Sequence, residues 1–134
     1  MDSTSIDLVG SRITGVETDG DTVKVRFEPA YLIKTMTGSV ERTRWWQNGS
    51  LVFTHARLEN DAILGDLPAD CAGGDVSENI YTYRDMLTVP LESAGQASCK
   101  LAIKDSEHSL IVQGEGVRLE LEDVPKYIEH IRPS

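Results

Sequence analysis

Between Asp21 and Glu28 every second side chain is apolar: Val23, Val25 and Phe27 alternate with Lys24, Arg26 and Glu28. A period of two puts the first set on one face of an extended strand and the second on the other. The same rhythm returns at Val117, Leu119 and Leu121, and shorter apolar stretches occur at Leu101 with Ile103 and in "SLIV" at 109–112. Asp19-Gly20-Asp21, Asp105-Ser106-Glu107-His108 and Gly114-Glu115-Gly116 separate these segments and read as turns. Short strands between polar turns predict an all-β fold, an antiparallel β-sandwich or barrel built of hairpins, with at most one short helix. Residues 124–131 leave two alternatives open. Val124, Tyr127, Ile128 and Ile131 fit one helical face, and the same residues fit a strand after Pro125; the β character of the surrounding chain favours the strand.

A chain of 134 residues is long enough to bury a core without disulfides or metals, and the simplest organisation is a single β domain over 1–134. Its apolar runs are too short to form a membrane-crossing helix. The N-terminal "MDSTSIDLVG" lacks the basic and apolar regions of an export signal, so a cytoplasmic location is expected, with Cys71 and Cys99 as reduced thiols. The formal charge of -9 argues against binding bulk nucleic acid or an anionic membrane surface. It leaves a protein partner, notably a basic one, or self-association.

Charge is unevenly spread. Residues 31–58 carry Lys34, Arg42, Arg44 and Arg57 against Glu41 alone, while the segments on either side are both net negative. The positive stretch coincides with "RTRWWQNGSLVF", residues 42–53. Asn48-Gly49 favours the positive φ angles of a type I′ turn, which predicts a two-residue hairpin with Gln47 facing Ser50. Counting outward from that turn places Arg42, Arg44, Trp46, Leu51, Phe53 and His55 on one face and Glu41, Thr43, Trp45, Val52, Thr54 and Ala56 on the other. Burying two guanidinium groups is costly, so Trp45 is expected inward and Trp46 outward. Arg42, Arg44, Trp46, Phe53 and His55 then form a candidate partner-binding strip of the residue types common in interface hot spots. The bland counterpart is cross-strand stacking of arginine on tryptophan, worth about 0.5–1 kcal/mol at a surface. The sequon Asn48-Gly49-Ser50 reads as turn chemistry rather than a glycosylation site.

Residues 59–79 contain six carboxylates and no basic residue. They are read as a short strand at "AIL" within a loop, or as a lid that folds back over Arg42 and Arg44. No calcium-loop spacing is present, and no metal or other cofactor is expected. "NIYTYRDMLTVPL", residues 79–91, reads as a strand with Tyr81 and Tyr83 on one side and Arg84 on the other, a possible pocket lining. His55, His108 and His130 stand in no recognisable catalytic pattern. Together these features favour a non-enzymatic binding domain with an Arg/Trp face. The alternative is a small-molecule-binding β-barrel, possibly an enzyme.

Overall fold

The computed structural model describes residues 3–36, 38 and 40–131. Eleven strands are present among the described residues: β1 (Ser3–Asp7), β2 (Arg12–Asp19), β3 (Thr22–Thr35), β4 (Arg42–Phe53), β5 (Arg57–Leu58), β6 (Ala69–Glu78), β7 (Tyr81–Arg84), β8 (Met86–Val89), β9 (Glu92–Ile103), β10 (Ser109–Leu121) and β11 (Lys126–Ile131). One short 3-10 helix covers Asp61–Asp66. The fold is all-β. Strands β4, β10, β9, β6, β2 and β3 pair antiparallel in that order, and pairing of β3 with β4 closes them into a six-stranded barrel.

The alternation seen in the sequence holds. Val23, Val25 and Phe27 are buried beside Leu51, Phe53, Leu101, Leu110 and Val117, and these side chains fill the barrel. Gly20-Asp21 makes the tight connection between Asp19 and Thr22, with Gly20 at φ +62°.

β3 and β4 are long enough to serve two sheets. Their barrel halves pair Val23–Phe27 with Gly49–Phe53, and their outer halves pair Ala30–Thr35 with Arg42–Gln47. The outer halves continue sideways into β1 and β8 on one flank and β11 on the other. An extra residue at Glu28-Pro29 marks the change of sheet on β3. Such a bulge bends the strand and suits proline, which has no N–H to donate. On the inner face of this extension Ile6, Leu32 and Leu87 are buried and continue the core, with Trp45 packed half-buried against it.

The expected turns at two glycine-containing segments are corrected. Asn48-Gly49 is no hairpin turn: β4 runs straight through it, and neither residue has a positive φ. Gly49 pairs with Phe27 on one side and Leu121 on the other. A β-carbon there would lie 2.6 Å from the carbonyl oxygen of Glu120 and 2.8 Å from Leu121 Cδ2. Glycine is needed for close approach of two strands, not for chain reversal. Gly114-Glu115-Gly116 is likewise a bulge inside β10, and Gly73-Gly74 lie inside the ten-residue β6. The "AIL" segment is in the 3-10 helix, and residues from Lys126 onward form a strand.

Both cysteines are buried free thiols. Burial pushes both upward, Cys99 to about 12, so thiolate is scarce as well as shielded. A thiol reagent at about pH 8 is expected to leave both unmodified in the native protein and to label both once denaturant unfolds the chain. Rapid native labelling of Cys99 would contradict this placement.

Candidate functional site

Straightening β4 changes which residues share a face. In a hairpin, Leu51 and Phe53 lie beside Trp46; in a through strand they lie beside Trp45. The outward face therefore carries Arg42, Arg44, Trp46 and Asn48, while Thr43, Trp45, Gln47, Leu51 and Phe53 face inward. Phe53 is fully buried and leaves the candidate surface. His55 leaves it too: it lies past the end of β4, exposed at φ +46°, with Nδ1 2.8 Å from Asp21 Oδ2.

Arg42, Arg44 and Trp46 remain together. Arg42 is exposed and makes no ion pair among the described residues. Arg44 lies over the Tyr31 ring, 4.9 Å from its centroid, with Nη1 3.6 Å from Asp7 Oδ2. That is an ion pair too long for a hydrogen bond. The acidic stretch 59–79 does not cover these arginines. Four of its six carboxylates pair elsewhere: Glu59 with Arg57, Asp66 with Ser106, Asp70 with Arg12 and Asp75 with Arg84.

Trp46 lines a groove of about 440 Å³ with Glu28, Pro29, Tyr31, Asn48 and Ile128. The groove forms where the barrel meets its extension. β3 bulges at Glu28-Pro29, and β4 changes neighbour from β10, which ends opposite Gly49, to β11, which begins opposite Trp46. A second bulge, between Tyr127 and Glu129, sets Ile128 beside Trp46. Tyr31 and Trp46 are directly opposite in register, and Lys126 Nζ sits 4.7 Å from the Trp46 ring centroid. The side-chain polar groups of Tyr31, Trp46 and Asn48 make no hydrogen bond among the described residues.

The neighbouring barrel surface is self-paired. Arg26 is bound by Glu28 at 2.8 Å and held in a fork by both oxygens of Glu122, which also keeps the Glu122 carboxyl below its ordinary range. Glu28 and Glu122 are thus engaged by Arg26, and the carboxylate that meets Arg44 is Asp7 of β1, none of them from the 59–79 stretch. The paired tryptophans also clamp β11, Trp45 meeting Tyr127 edge-on at 5.3 Å on the inner face and Trp46 taking Lys126 on the outer one. Tyr31, Lys126 and Ile128 were not singled out by sequence reasoning. The register of three strands brings them to Trp46, and no local motif marks that.

Tyr81 and Tyr83 stack with centroids 6.4 Å apart, and Arg84 pairs with Asp75 at 3.0 Å across β6 and β7. Asp85, at φ +63°, ends β7, so 79–91 is two short strands rather than one. Tyr81, Tyr83 and Arg84 line neither the Trp46 groove nor a larger cleft elsewhere on the molecule. The larger, an open depression of about 880 Å³ at one end of the barrel, has Asp21, His55, Arg57, Gln96, Gln113 and Glu115 among its lining. Among the described residues no cluster of three or more His, Cys, Asp or Glu is placed to hold a metal ion, and no helix is long and apolar enough to cross a membrane. Comparison with protein-family models, curated proteins and solved structures found no match.

Proposed function

We propose that this chain is a non-enzymatic binding domain whose protein partner docks at the Trp46 groove. The single observation behind this reading is that the side-chain polar groups of Tyr31, Trp46 and Asn48 bond to no other group among the described residues and line one groove together with the apolar Pro29 and Ile128. Large aromatic side chains with one polar tip and adjacent arginines are the side chains that concentrate interface energy. Arg42 at the margin adds orientation rather than affinity, since exposed charges mainly steer approach.

A photo-crosslinking side chain placed at Glu28, which lines the groove but is not one of those three side chains, compared with one at Lys100 on β9, tests the reading in native lysate. The expected result is a discrete protein adduct from position 28 that Trp46→Ala reduces by roughly tenfold or more. Equal adducts from both positions, or none from position 28, would defeat it. Because Trp46 also supports β11, Tyr31→Phe is measured alongside; it removes one hydroxyl and keeps the packing.

A second reading, a small-molecule site, is favoured by one observation. His55 holds a left-handed backbone conformation and is paired with Asp21 at the wall of the larger depression. Non-glycine residues at positive φ are uncommon, histidine being one of the side chains that enter that region more readily, and those held there tend to cluster at functional positions. A polar ligand whose stabilisation of the fold disappears in His55→Ala, but survives Trp46→Ala, would favour this site over the groove.

A further inference from the structure

We infer that the segment docking at the groove is acidic and extended, with carboxylates at two alternate positions that meet Arg42 and Arg44, an inference that rests on the groove being the docking site. The outward side chains along this half of β4 are Arg42, Arg44, Trp46 and Asn48, and all four carry N–H donors. Among the described residues none of these donors has a hydrogen-bond acceptor, and none is sealed from solvent. Arginines elsewhere differ: Arg12, Arg26, Arg57, Arg84 and Arg118 each donate to a carboxylate of this chain. Arg44 meets only Asp7, at 3.6 Å and beyond hydrogen-bond reach, and Arg42 makes no ion pair among the described residues. With 22 acidic side chains against 13 basic ones, the chain supplies acceptors to its other described arginines and leaves this one row of donors unmet. What fits over the row is rich in acceptors. A carboxylate suits an arginine best, because it takes a forked pair of hydrogen bonds.

The aromatic rings present cations rather than open faces. Tyr31 carries Arg44, and Trp46 carries Lys126. A ring that holds a cation narrows the conformations the cation samples, so an arriving anion finds the charge already placed. Nearby carboxylates do not take it up. Glu28 is bound to Arg26, and Glu129, opposite Arg44 on β11, stays without an ion pair while Arg44 turns to the other flank, over Tyr31 and toward Asp7. The total charge of -9 by itself favours a basic partner. Screening at physiological salt has a length of about 8 Å, however, so a docked segment feels the arginines beneath it more than carboxylates across the barrel.

Spacing sets the conformation. Arg42 and Arg44 are two residues apart on one strand, about 7 Å. Side chains on one face of an extended segment repeat at the same distance, so a segment laid along β4 brings carboxylates at alternate positions over both guanidinium groups. It lies on the sheet rather than joining it, because β4 is already hydrogen-bonded to β3 on one side and to β10 and then β11 on the other. The next alternate side chain, two residues on, reaches the groove and is apolar, to match Pro29 and Ile128. Main-chain carbonyls beside it accept from the neutral donors, the Trp46 indole and the Asn48 amide. A nucleic-acid strand is the competing polyanion. Its phosphates continue past the row onto an acidic surface, whereas a segment with two carboxylates ends its charge where the arginines end.

The test uses the whole chain, two peptide libraries and a single-stranded oligothymidylate. One library has Asp or Glu at two alternate positions followed by an apolar one; the other has Asn or Gln in place of both acids. The readouts are the NMR signals of the Arg42 and Arg44 Nε–H groups and the Trp46 indole N–H. Saturable shifts with the acidic library are expected, weakened by added salt and absent with the amide library. Arg44→Gln reduces the affinity roughly tenfold, read at the Trp46 signal, and Arg42→Gln slows association. Reversing both charges, Arg42→Glu with Arg44→Glu, makes the chain prefer a library with lysine at the two acidic positions. Equal response to the acidic and amide libraries, or to neither, overturns the inference. Shifts with the oligothymidylate alone overturn carboxylate recognition in favour of phosphate. A mass above that of the monomer for the chain alone at low salt, lost in Arg44→Gln, overturns a separate partner in favour of a second copy. A position-28 crosslink that forms although no library binds would separate failure of this inference from failure of the docking reading.

Discussion

Phe53→Ala lowers the free energy of unfolding by about 3–5 kcal/mol, the usual cost of removing a fully buried phenylalanine side chain. Phe53 is wholly inaccessible to solvent, is opposite Val23 on β3 and Val117 on β10, and belongs to the barrel core. Denaturant titration followed by tryptophan fluorescence measures the loss. A large effect places Phe53 in the fold and removes it from any list of contact residues, because weakened binding in this variant would follow from weakened folding. His55, assigned by sequence to the same strip, gives the contrast. It is exposed and paired only with Asp21, so His55→Ala is expected to change stability by no more than about 0.5 kcal/mol. Comparable effects at the two positions would show the face assignment to be wrong.

The second large effect is at Gly49. Adding a β-carbon brings it against the Glu120 carbonyl and the Leu121 side chain, and the first of these is backbone that cannot rotate away. Gly49→Ala is expected to cost about 1–3 kcal/mol, and Gly49→Val more, as overpacking at a strand crossing. A one-residue insertion after Asn48 is harsher still. It turns Leu51 and Phe53 outward in exchange for Ser50 and Val52, and the barrel cannot close around that reversal. At a solvent-exposed hairpin tip the same insertion would only lengthen a loop, at a cost of a few tenths of a kcal/mol. Circular dichroism of the insertion variant therefore distinguishes a through strand from a hairpin: loss of the folded spectrum is expected, and a native spectrum with near-native stability would contradict the course of β4.

Much of the fold is legible in alternation alone. Val23, Val25 and Phe27 face the core because a two-residue period and water leave them no other arrangement, and the same holds for Leu101, Ile103 and Val117. Asp19-Gly20-Asp21 is legible for a local reason as well, since the chain reverses where φ is positive. The candidate site was half legible. Trp46, Arg42 and Arg44 do share the outward face, as the cost of burying guanidinium groups requires. Their groove partners Tyr31 and Ile128 come from strands whose register relative to β4 is a non-local property.

The glycines mark where local reasoning stops. Asn48-Gly49, Gly73-Gly74 and Gly114-Glu115-Gly116 carry turn chemistry, yet each lies within a strand. Glycine is permissive rather than directive: it allows a reversal, a bulge or a close crossing, and the neighbours decide which. In an open hairpin stack it marks loops, whereas a closed six-stranded barrel needs it where strands bend or approach one another. The sequence by itself determined that this chain would form strands, which side chains of most strands would be buried, and that Arg42 and Arg44 would stay at the surface, because these follow from hydrophobicity and charge within one segment. Only the tertiary structure decided that β4 passes through Asn48-Gly49, that Phe53 lies inside, and that Tyr31, Trp46 and Ile128 wall one groove. Each of these depends on the pairing and register of strands far apart in sequence, which have no local signature.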